Sequence, residues 1–173
     1  MRKILVVIDM QNDFIDGALG TPEAEDIVEA VKEKIRAYPT RDVCATMDTH
    51  GEDYLATQEG RYLPVEHCIC GTDGWQIRPD IAELLTEAKI FEKPTFGSTR
   101  LAEALRALPE EIEIELVGLC TDICVVSNAL LLKAFLPETT ISVDASCCAG
   151  VTPEKHRAAL ETMRSCQILV TGA

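Results

Sequence analysis

Short apolar runs and amphipathic segments take turns along the chain. The run KILVVID at 3–9 is apolar up to its final charge, which is the pattern of a strand buried on both faces. The segment at 21–38 instead carries apolar residues at helical spacing, after a threonine cap and a proline at the first helical position. Such runs predict strands at 3–9, 42–48, 88–93, 113–119, 140–145 and 167–172. Helices are predicted at 21–38, 79–86, 98–107, 121–136 and 152–165.

This alternation predicts an α/β fold, with a parallel sheet of about six strands covered by helices on both faces. We expect one domain over 1–173, because a chain of this length buries its own core and shows no internal repeat or long linker. The alternation of strands and helices is interrupted by a stretch of about 30 residues between Asp48 and Pro79, which has neither a strand pattern nor a long helical pattern. Ordered loops of that length usually carry function.

Reactive side chains stand where four of the predicted strands end. Strand one ends at Asp9, strand two at Asp48, strand three at Lys93, and strand four runs into Cys120 and Cys124. A polar residue that closes a single strand is usually a turn or cap residue. Because ligands of open parallel sheets bind beyond the carboxyl ends of the strands, four such endings at one edge predict a functional site there.

Cys120 and Cys124 are four positions apart at the start of a predicted helix. The pair admits a disulfide, metal ligation, core packing or a single nucleophile. Their spacing is not Cys-x-x-Cys, and no second thiol pair follows at zinc-ribbon distance. With Thr121 as N-cap, Cys124 lies in the first helical turn, where free N–H groups and the helix dipole lower the pKa of a thiol. We therefore expect Cys124 to be a thiolate nucleophile, and Cys120 to be packing or loop backbone.

Charge and composition exclude several classes of partner. The net charge of −13 repels phosphate groups, so nucleic acid and anionic membranes are disfavoured. The N-terminal segment MRKILVVIDMQ has only five consecutive apolar residues before Asp9, too few for a signal core or a bilayer span. We expect a cytoplasmic protein whose eight cysteines are reduced and whose partner is a small molecule.

The loop after the second predicted strand carries residue types that bind metals. Asp48 and His50 are two apart and point the same way from an extended segment, and Glu59 and His67 can reach them from the loop. Two imidazoles with one or two carboxylates suit zinc, iron or manganese. By spacing alone, a metal site and scattered surface polar residues are both open interpretations.

Three short motifs carry a family resemblance. Asp9 in IDMQNDF, Lys93 in FEKPTFGS and Cys124 in GLCTDICV resemble the Asp, Lys, Cys triad of the isochorismatase-like cysteine hydrolases, the superfamily that includes nicotinamidases. The match spans nearly the whole chain, and the motifs occur in the expected order at the expected strand ends. The resemblance implies a Rossmann-like three-layer α/β/α fold with strand order 3-2-1-4-5-6, and a homo-oligomer.

The resemblance also implies a mechanism, which the residue types support. Asp9 would take the proton of Cys124 and later give it to the leaving amine, while Lys93 stabilises the charged thiolate. Cys124 would attack an amide carbonyl. The matching oxyanion donors are the backbone N–H groups of Cys120 and Cys124, next to a peptide between Leu119 and Cys120 that is cis in this family.

One divalent metal is implied by the same resemblance. Nicotinamidase-like members bind it through an Asp-x-His pair, a later histidine and, in some members, an intervening glutamate or histidine. Zinc is the expected ion, with iron and manganese as alternatives, and in that group it binds the ring nitrogen of the substrate. The matching residues here are Asp48, His50, Glu59 and His67.

Phe14, Leu63 and Phe96 are expected to line the substrate pocket. Phe14, in NDF, matches a position where the family places an aromatic side chain against the substrate. Ordinary core packing is the alternative for Phe14 and for Phe96. Nicotinamidases commonly have an aromatic residue where this chain has Leu63, with Tyr62 one position earlier, so the acyl substrate can differ.

Three functions follow from these observations. The first is metal-assisted hydrolysis of a small aromatic carboxamide, foremost nicotinamide to nicotinic acid and ammonia, a step of NAD salvage. The second is cysteine-dependent hydrolysis of another small amide, ureido or carbamoyl compound without a catalytic metal. The third is a non-enzymatic nucleotide- or partner-binding module, and nucleotide binding is disfavoured because strand one is followed by MQNDFIDG and not by Gly-x-Gly-x-x-Gly.

Overall fold

The structure is a computed structural model that describes residues 1–173. Its centre is a six-stranded sheet in the order β3-β2-β1-β4-β5-β6, and every neighbouring pair of strands is parallel. The strands are β1 (Arg2–Ile8), β2 (Val43–Asp48), β3 (Lys89–Lys93), β4 (Ile112–Leu119), β5 (Ile141–Ala149) and β6 (Leu169–Thr171). The predicted fold class and strand order are confirmed.

Helices cover both faces of the sheet, which makes three layers. The α-helices are α1 (Asn12–Ile15), α2 (Pro22–Asp26), α3 (Val28–Arg36), α4 (Gln58–Tyr62), α5 (Pro79–Ala82), α6 (Thr99–Arg106), α7 (Val126–Phe135) and α8 (Pro153–Ser165). Buried residues of α1, α2, α3 and α5 form one apolar core with one face of the sheet. Those of α6, α7 and α8 form a second core on the opposite face. Successive residues of β1 pack alternately into the two cores, because neighbouring side chains of a strand point to opposite faces of the sheet.

Several predicted elements have different bounds in the structure; the helix predicted at 79–86, for example, ends at Ala82. The helix predicted at 21–38 is interrupted at Ile27, and this break allows Ile27 and its neighbour Val28 both to be buried. The strand predicted at 140–145 continues to Ala149, because β4 and β5 resume pairing after a bulge between Leu116 and Gly118. Cys147 and Cys148, which lie beyond the predicted end of this strand, are therefore part of it.

Gly118 is the one glycine whose conformation positions the site. Its φ is +116°, and a Cβ added there would lie 2.1 Å from the carbonyl oxygen of Ile8. A side chain at this position would push β4 away from β1 just before both strands end. Asp9, the next residue after β1, also has a left-handed φ of +46°.

The long loop after β2 is ordered by short local elements. It holds a 3-10 turn at Tyr54–Ala56 and the helix α4, and an isolated bridge joins His50 to Ile69. The absence of a further strand or a long helix agrees with the prediction from the sequence. None of the helices of the structure combines the length and apolar character needed to span a bilayer.

Candidate active site

Asp9, Lys93 and Cys124 converge beyond the carboxyl ends of the central strands. The Lys93 Nζ lies 2.7 Å from Oδ2 of Asp9 and 3.4 Å from the sulfur of Cys124. Thr46, on β2, donates its hydroxyl to Oδ1 of Asp9 at 2.6 Å. Apart from its ion pair with Lys93, Oδ2 of Asp9 has no other partner, which leaves that oxygen able to accept a proton. All three groups are almost fully buried, and Cys124 keeps 4% of its surface exposed.

Burial and the ammonium of Lys93 set the charges of this cluster. Burial raises the pKa of the Asp9 carboxyl, and Lys93 opposes that rise. Burial alone would lower the pKa of Lys93, but Asp9, Cys124 and Asp48 outweigh it and raise the pKa, so Lys93 is a cation at neutral pH. The pKa of the Cys124 thiol is raised well above its usual range, first by burial and then by the negative charge of Asp9.

The expectation that Cys124 rests as a thiolate is therefore wrong. The prediction rested on the helix dipole and a nearby cation, which lower the pKa of a thiol. The burial of the sulfur and the nearby carboxylate raise the pKa, and neither can be read from the sequence. The thiol at rest is protonated and stands next to a carboxylate that can take its proton. In this arrangement the anion forms when the proton is transferred, and the adjacent ammonium of Lys93 stabilises it.

Cys124 lies in a π-helical turn, Thr121–Val125, that precedes α7. The predicted cap is also wrong, because Cys120 and not Thr121 occupies the N-cap position. The carbonyl of Cys120 accepts hydrogen bonds from the N–H groups of Ile123 and Val125 at 3.1 and 3.0 Å. π-helical turns are rare and are frequently found at functional sites.

The peptide between Leu119 and Cys120 is cis, as the family resemblance implies. The Cys120 N–H donates no hydrogen bond within the protein. The side chain of Cys120 is partly exposed and borders the apolar core on the α3 face, and burial raises the pKa of its thiol to about 12. This position against the core agrees with the packing or backbone role predicted for Cys120.

The four predicted metal ligands form one cluster. Their ligand atoms all lie within 4.8 Å of one another. Nε2 of His50 is 2.9 Å from Oδ2 of Asp48 and 3.7 Å from Oε1 of Glu59. Nε2 of His67 is 3.5 Å from the same Asp48 oxygen and 3.7 Å from the same Glu59 oxygen. The alternative of scattered surface residues is thereby excluded, since three of the four are buried.

This cluster fits a small divalent cation. Ligands placed tetrahedrally around zinc at its usual bond lengths are about 3.3–3.6 Å apart, close to the spacings found here. The carbonyl of Val65 can only accept, so its 2.8 Å contact with Nδ1 of His67 assigns the proton to that nitrogen. Nε2 of His67 then keeps a lone pair directed at the other donors, the arrangement that orients metal-binding histidines.

Asp48 joins the donor cluster to the triad. Its Oδ2 faces the two histidines, while its Oδ1 lies 3.3 Å from the ammonium of Lys93. Burial opposes the charged form of Asp48, but the contacts with His50 and His67 and the charge of Lys93 outweigh it and lower the pKa of the carboxyl. One carboxylate therefore spans both halves of the site.

Two supporting residues were not predicted from the sequence. Gln11 is buried and brackets Asp48, donating to its carbonyl at 2.8 Å and accepting from its N–H at 2.7 Å. Tyr54 is fully buried, and its ring lies 4.8 and 5.0 Å from the rings of His50 and His67. The sequence signal for Gln11 is its place two residues after Asp9, but nothing in the loop composition distinguishes Tyr54.

Asn128, on α7, ties the turn of Cys124 to the loop after β3. Its amide nitrogen donates to the carbonyls of Cys124 at 2.8 Å and of Phe96 at 3.0 Å. Its amide oxygen accepts from the N–H of Ser98 at 2.9 Å. Because Asn128 is fully buried and bonded on both ends of its amide, it fixes the nucleophile relative to the segment that follows Lys93.

A cavity of about 710 Å³ opens over the donor cluster. Ile123 and Pro94, the chain neighbours of Cys124 and Lys93, border it, so it stands beside the triad. Its wall consists of His50, Thr57, Gln58, Glu59, Tyr62, Leu63, Pro94, Thr95, Phe96 and Ile123.

Two of the three predicted pocket residues line this cavity. They are Leu63 and Phe96, which are 38% and 41% exposed, and Tyr62 beside them is 85% exposed. Phe14 does not line it. Phe14 is buried, and its ring lies 5.5 Å from the ring of His67, so it packs against a member of the donor cluster. The core-packing alternative applies to Phe14, because the short α1 directs it into the core on that face.

All eight cysteines are free in the structure, which excludes a disulfide between Cys120 and Cys124.

Comparisons with known proteins agree with this geometry. The family model described as the isochorismatase domain matches residues 3–173. The chain is 31% identical to the isochorismatase family protein PncA of Bacillus subtilis (strain 168) over 175 residues, covering 92% of this chain and 93% of that protein.

Solved structures show the same likeness. The nicotinamidase/pyrazinamidase PncA from Bacillus subtilis is 29% identical with a TM-score of 0.86, covering 99% of this chain and all of the other. The pyrazinamidase of Pyrococcus horikoshii in complex with zinc is 27% identical with a TM-score of 0.82, covering 100% of both chains. The chain belongs to the isochorismatase family, in its nicotinamidase-like branch.

Proposed function

We propose that this protein is a metal-assisted cysteine amidohydrolase that converts a small aromatic carboxamide, foremost nicotinamide, into the carboxylate and ammonia. The observation that carries the proposal is the position of Lys93. Its ammonium lies within 3.4 Å of a thiol and of two carboxylates, one of which belongs to the donor cluster. The names of the solved relatives, a pyrazinamidase and a nicotinamidase/pyrazinamidase, support amide hydrolysis as the reaction class.

The reaction begins with proton transfer from Cys124 to Asp9. Oδ2 of Asp9, which is paired with the Lys93 ammonium at rest, takes the thiol proton, while Thr46 holds Oδ1. The sulfur then attacks the amide carbonyl, and a carbon–sulfur bond forms as the carbonyl electrons move to oxygen. The free N–H of Cys120, with that of Cys124, is the proposed donor set for this oxyanion.

Collapse of the tetrahedral intermediate breaks the carbon–nitrogen bond. Asp9 returns its proton to the nitrogen, so that ammonia leaves and a thioester with Cys124 remains. Water then attacks the thioester carbonyl while Asp9 accepts a proton from it. The carbon–sulfur bond breaks, Asp9 returns the proton to the sulfur, and the carboxylic acid product is released. Lys93 stays protonated throughout and stabilises the sulfur anion in both halves of the cycle.

Asp48, His50, Glu59 and His67 would hold the metal. A divalent ion on these donors supplies a Lewis-acid site for the lone pair of an aromatic ring nitrogen, which orients the amide toward Cys124. Zinc is the proposed ion, because two imidazoles and two carboxylates at these spacings suit its tetrahedral preference, and because the relative from Pyrococcus horikoshii is a complex with zinc.

A second candidate is hydrolysis of another small amide, ureido or carbamoyl compound by the same triad. The observation in its favour is Leu63, which lines the cavity at a position where nicotinamidases commonly have an aromatic residue. An aliphatic wall stacks less favourably on a flat heteroaromatic ring than an aromatic wall does.

The test measures ammonia released from nicotinamide, pyrazinamide and a panel of aliphatic amides and ureido compounds. The purified protein is assayed as isolated, after chelation and after restoration of zinc, with elemental analysis at each stage. We expect turnover of the heteroaromatic amides that chelation removes and zinc restores. Turnover of other amides alone, unaffected by chelation, would favour the second candidate. Full turnover in Cys124→Ala would contradict both.

A further inference from the structure

We propose that His156, on α8, is a positioning residue for the nucleophile, acting through the hydroxyl of Thr121 on the turn that carries Cys124. The proposal deepens the proposed function and rests on it for its kinetic consequences. His156 does not touch the triad. Its Nδ1 lies 2.8 Å from Oγ1 of Thr121, three residues before Cys124.

The turn of Cys124 needs support from outside because it is not an ordinary helical start. In a π-helical turn the hydrogen bonds run over five residues, and Thr121 is not the cap, so its hydroxyl makes no capping bond to the turn. Thr121 is fully buried. A buried hydroxyl needs a partner, and the imidazole of His156 provides one.

The position of His156 is fixed by the way α8 begins. Thr152 caps the helix by accepting from the N–H of Lys155, and Pro153 occupies the first helical position. The N–H of His156 donates to the carbonyl of Thr152 at 2.9 Å. The imidazole therefore projects from a restrained helical turn and not from a loose loop.

A second contact joins the same two segments. Oδ1 of Asp122 accepts from the N–H of Val151 at 2.9 Å. The approach is so close at Gly150 that an added Cβ would lie 2.9 Å both from this Asp122 oxygen and from the N–H nitrogen of His156. Val151 and His156 therefore hold two consecutive residues of the turn, Asp122 and Thr121, by separate hydrogen bonds.

The hydrogen bond between His156 and Thr121 should affect how the sulfur of Cys124 approaches the substrate carbonyl, and not how tightly the substrate binds. Neither Thr121 nor His156 lines the cavity over the donor cluster. Loss of their bond would let the turn shift relative to Asp9 and Lys93, and small misplacements of a reacting group slow the chemical step strongly. The rate constant kcat should fall while KM stays nearly constant.

The test is a double-mutant cycle with Thr121→Val and His156→Ala, in the zinc-loaded full-length protein at a temperature where all variants are folded. Each single change should lower kcat by about tenfold, the loss expected from one hydrogen bond near a reacting group. KM should change by less than about twofold, and the double variant should be no slower than either single one. His156→Asn, whose amide reaches the place of Nδ1, should restore most of kcat. Lys155→Ala, an exposed neighbour on α8, is the matched control and should keep wild-type kcat.

Hydrogen exchange gives a readout that needs no substrate. The peptide containing Thr121–Val125 should exchange faster in Thr121→Val and in His156→Ala than in wild type, and at the wild-type rate in Lys155→Ala. Unchanged exchange in both single variants, or losses of kcat that multiply in the double variant, would overturn the proposal. If the wild-type protein hydrolyses no amide, the proposed function fails, and the exchange experiment alone decides whether His156 holds the turn.

Discussion

Replacement of Lys93 by methionine tests the charge arrangement on which the proposed chemistry depends. The side chain keeps its length and apolar stem but loses the ammonium that faces Asp9 at 2.7 Å and Asp48 at 3.3 Å. At an effective dielectric constant of about 20, these contacts correspond to about 6 and 5 kcal/mol of Coulomb attraction before desolvation is counted. Removing one partner of such a buried pair costs about 3–5 kcal/mol in practice, because the remaining charge is uncompensated.

The variant should relieve this cost by protonating Asp9. Burial already raises the pKa of Asp9, and Lys93 is the first group that opposes the rise. A protonated Asp9 cannot accept the proton of Cys124, so kcat/KM should fall by about a thousandfold, within the usual contribution of a general base. The stability of the variant should depend on pH with a known sign. A carboxyl whose pKa is higher in the folded state favours folding below its unfolded pKa, about 3.9, and loses that stability as pH rises through the folded pKa.

Ammonia release and urea unfolding between pH 4 and 9 measure both effects. Lys89→Met, an exposed lysine of the same strand, is the control for a lost positive charge. We expect the stability deficit of Lys93→Met relative to this control to shrink by about 1.4 kcal/mol for each pH unit of acidification between the folded-state pKa of Asp9 in the variant and that in the control. A variant that keeps a tenth of the wild-type activity, or a deficit that does not change with pH, would refute the assigned role of Lys93.

Three further outcomes follow from the site. Cys124→Ala should abolish turnover without unfolding, whereas Cys120→Ser should keep a substantial fraction of it, since only the backbone N–H of Cys120 is used; ammonia release and circular dichroism check both, and equal losses would contradict the assignment of the nucleophile. His67→Ala should lower the amount of zinc that remains after dialysis more than Glu59→Gln does, because Glu59 is less buried and the amide oxygen introduced by Glu59→Gln still offers a ligand. Elemental analysis measures this, and undiminished zinc in both variants would disprove the metal site. Asn128→Ala should destabilise the fold by about 1–3 kcal/mol, because it leaves buried backbone groups unpaired, and should slow turnover as well; thermal unfolding that matches wild type would contradict it.

The fold followed from local patterns because the central strand β1 is an almost continuous apolar run. A strand such as KILVVID is buried on both faces, so its signal does not depend on its neighbours. The predicted ends of the elements were wrong where tertiary contacts determine them. The end of β5 at Ala149 depends on its pairing with β4 after a bulge, and a bulge leaves no mark in a single strand.

The identities of the site residues could be predicted from the sequence, but the protonation state of the thiol could not. Asp9, Lys93 and Cys124 stand at strand ends, so the rule for parallel sheets brings them to one edge. The state of the thiol depends on burial and on the distance to Asp9, and neither can be read from spacing. Supporting residues such as Tyr54 and Asn128 were missed because their roles consist of contacts across the fold.

The close passage of Gly118 against Ile8 has a practical consequence for redesign. The main chains that deliver the acid–base residue and the sulfur touch directly there, so the gap between these reactants is set by backbone and not by adjustable side chains. A library of variants that seeks new amide specificities can therefore randomise the cavity-lining residues Tyr62, Leu63 and Phe96 without changing the distance between the reacting atoms. The same library extended to position 118 should yield almost exclusively inactive clones, even where the replacement is alanine.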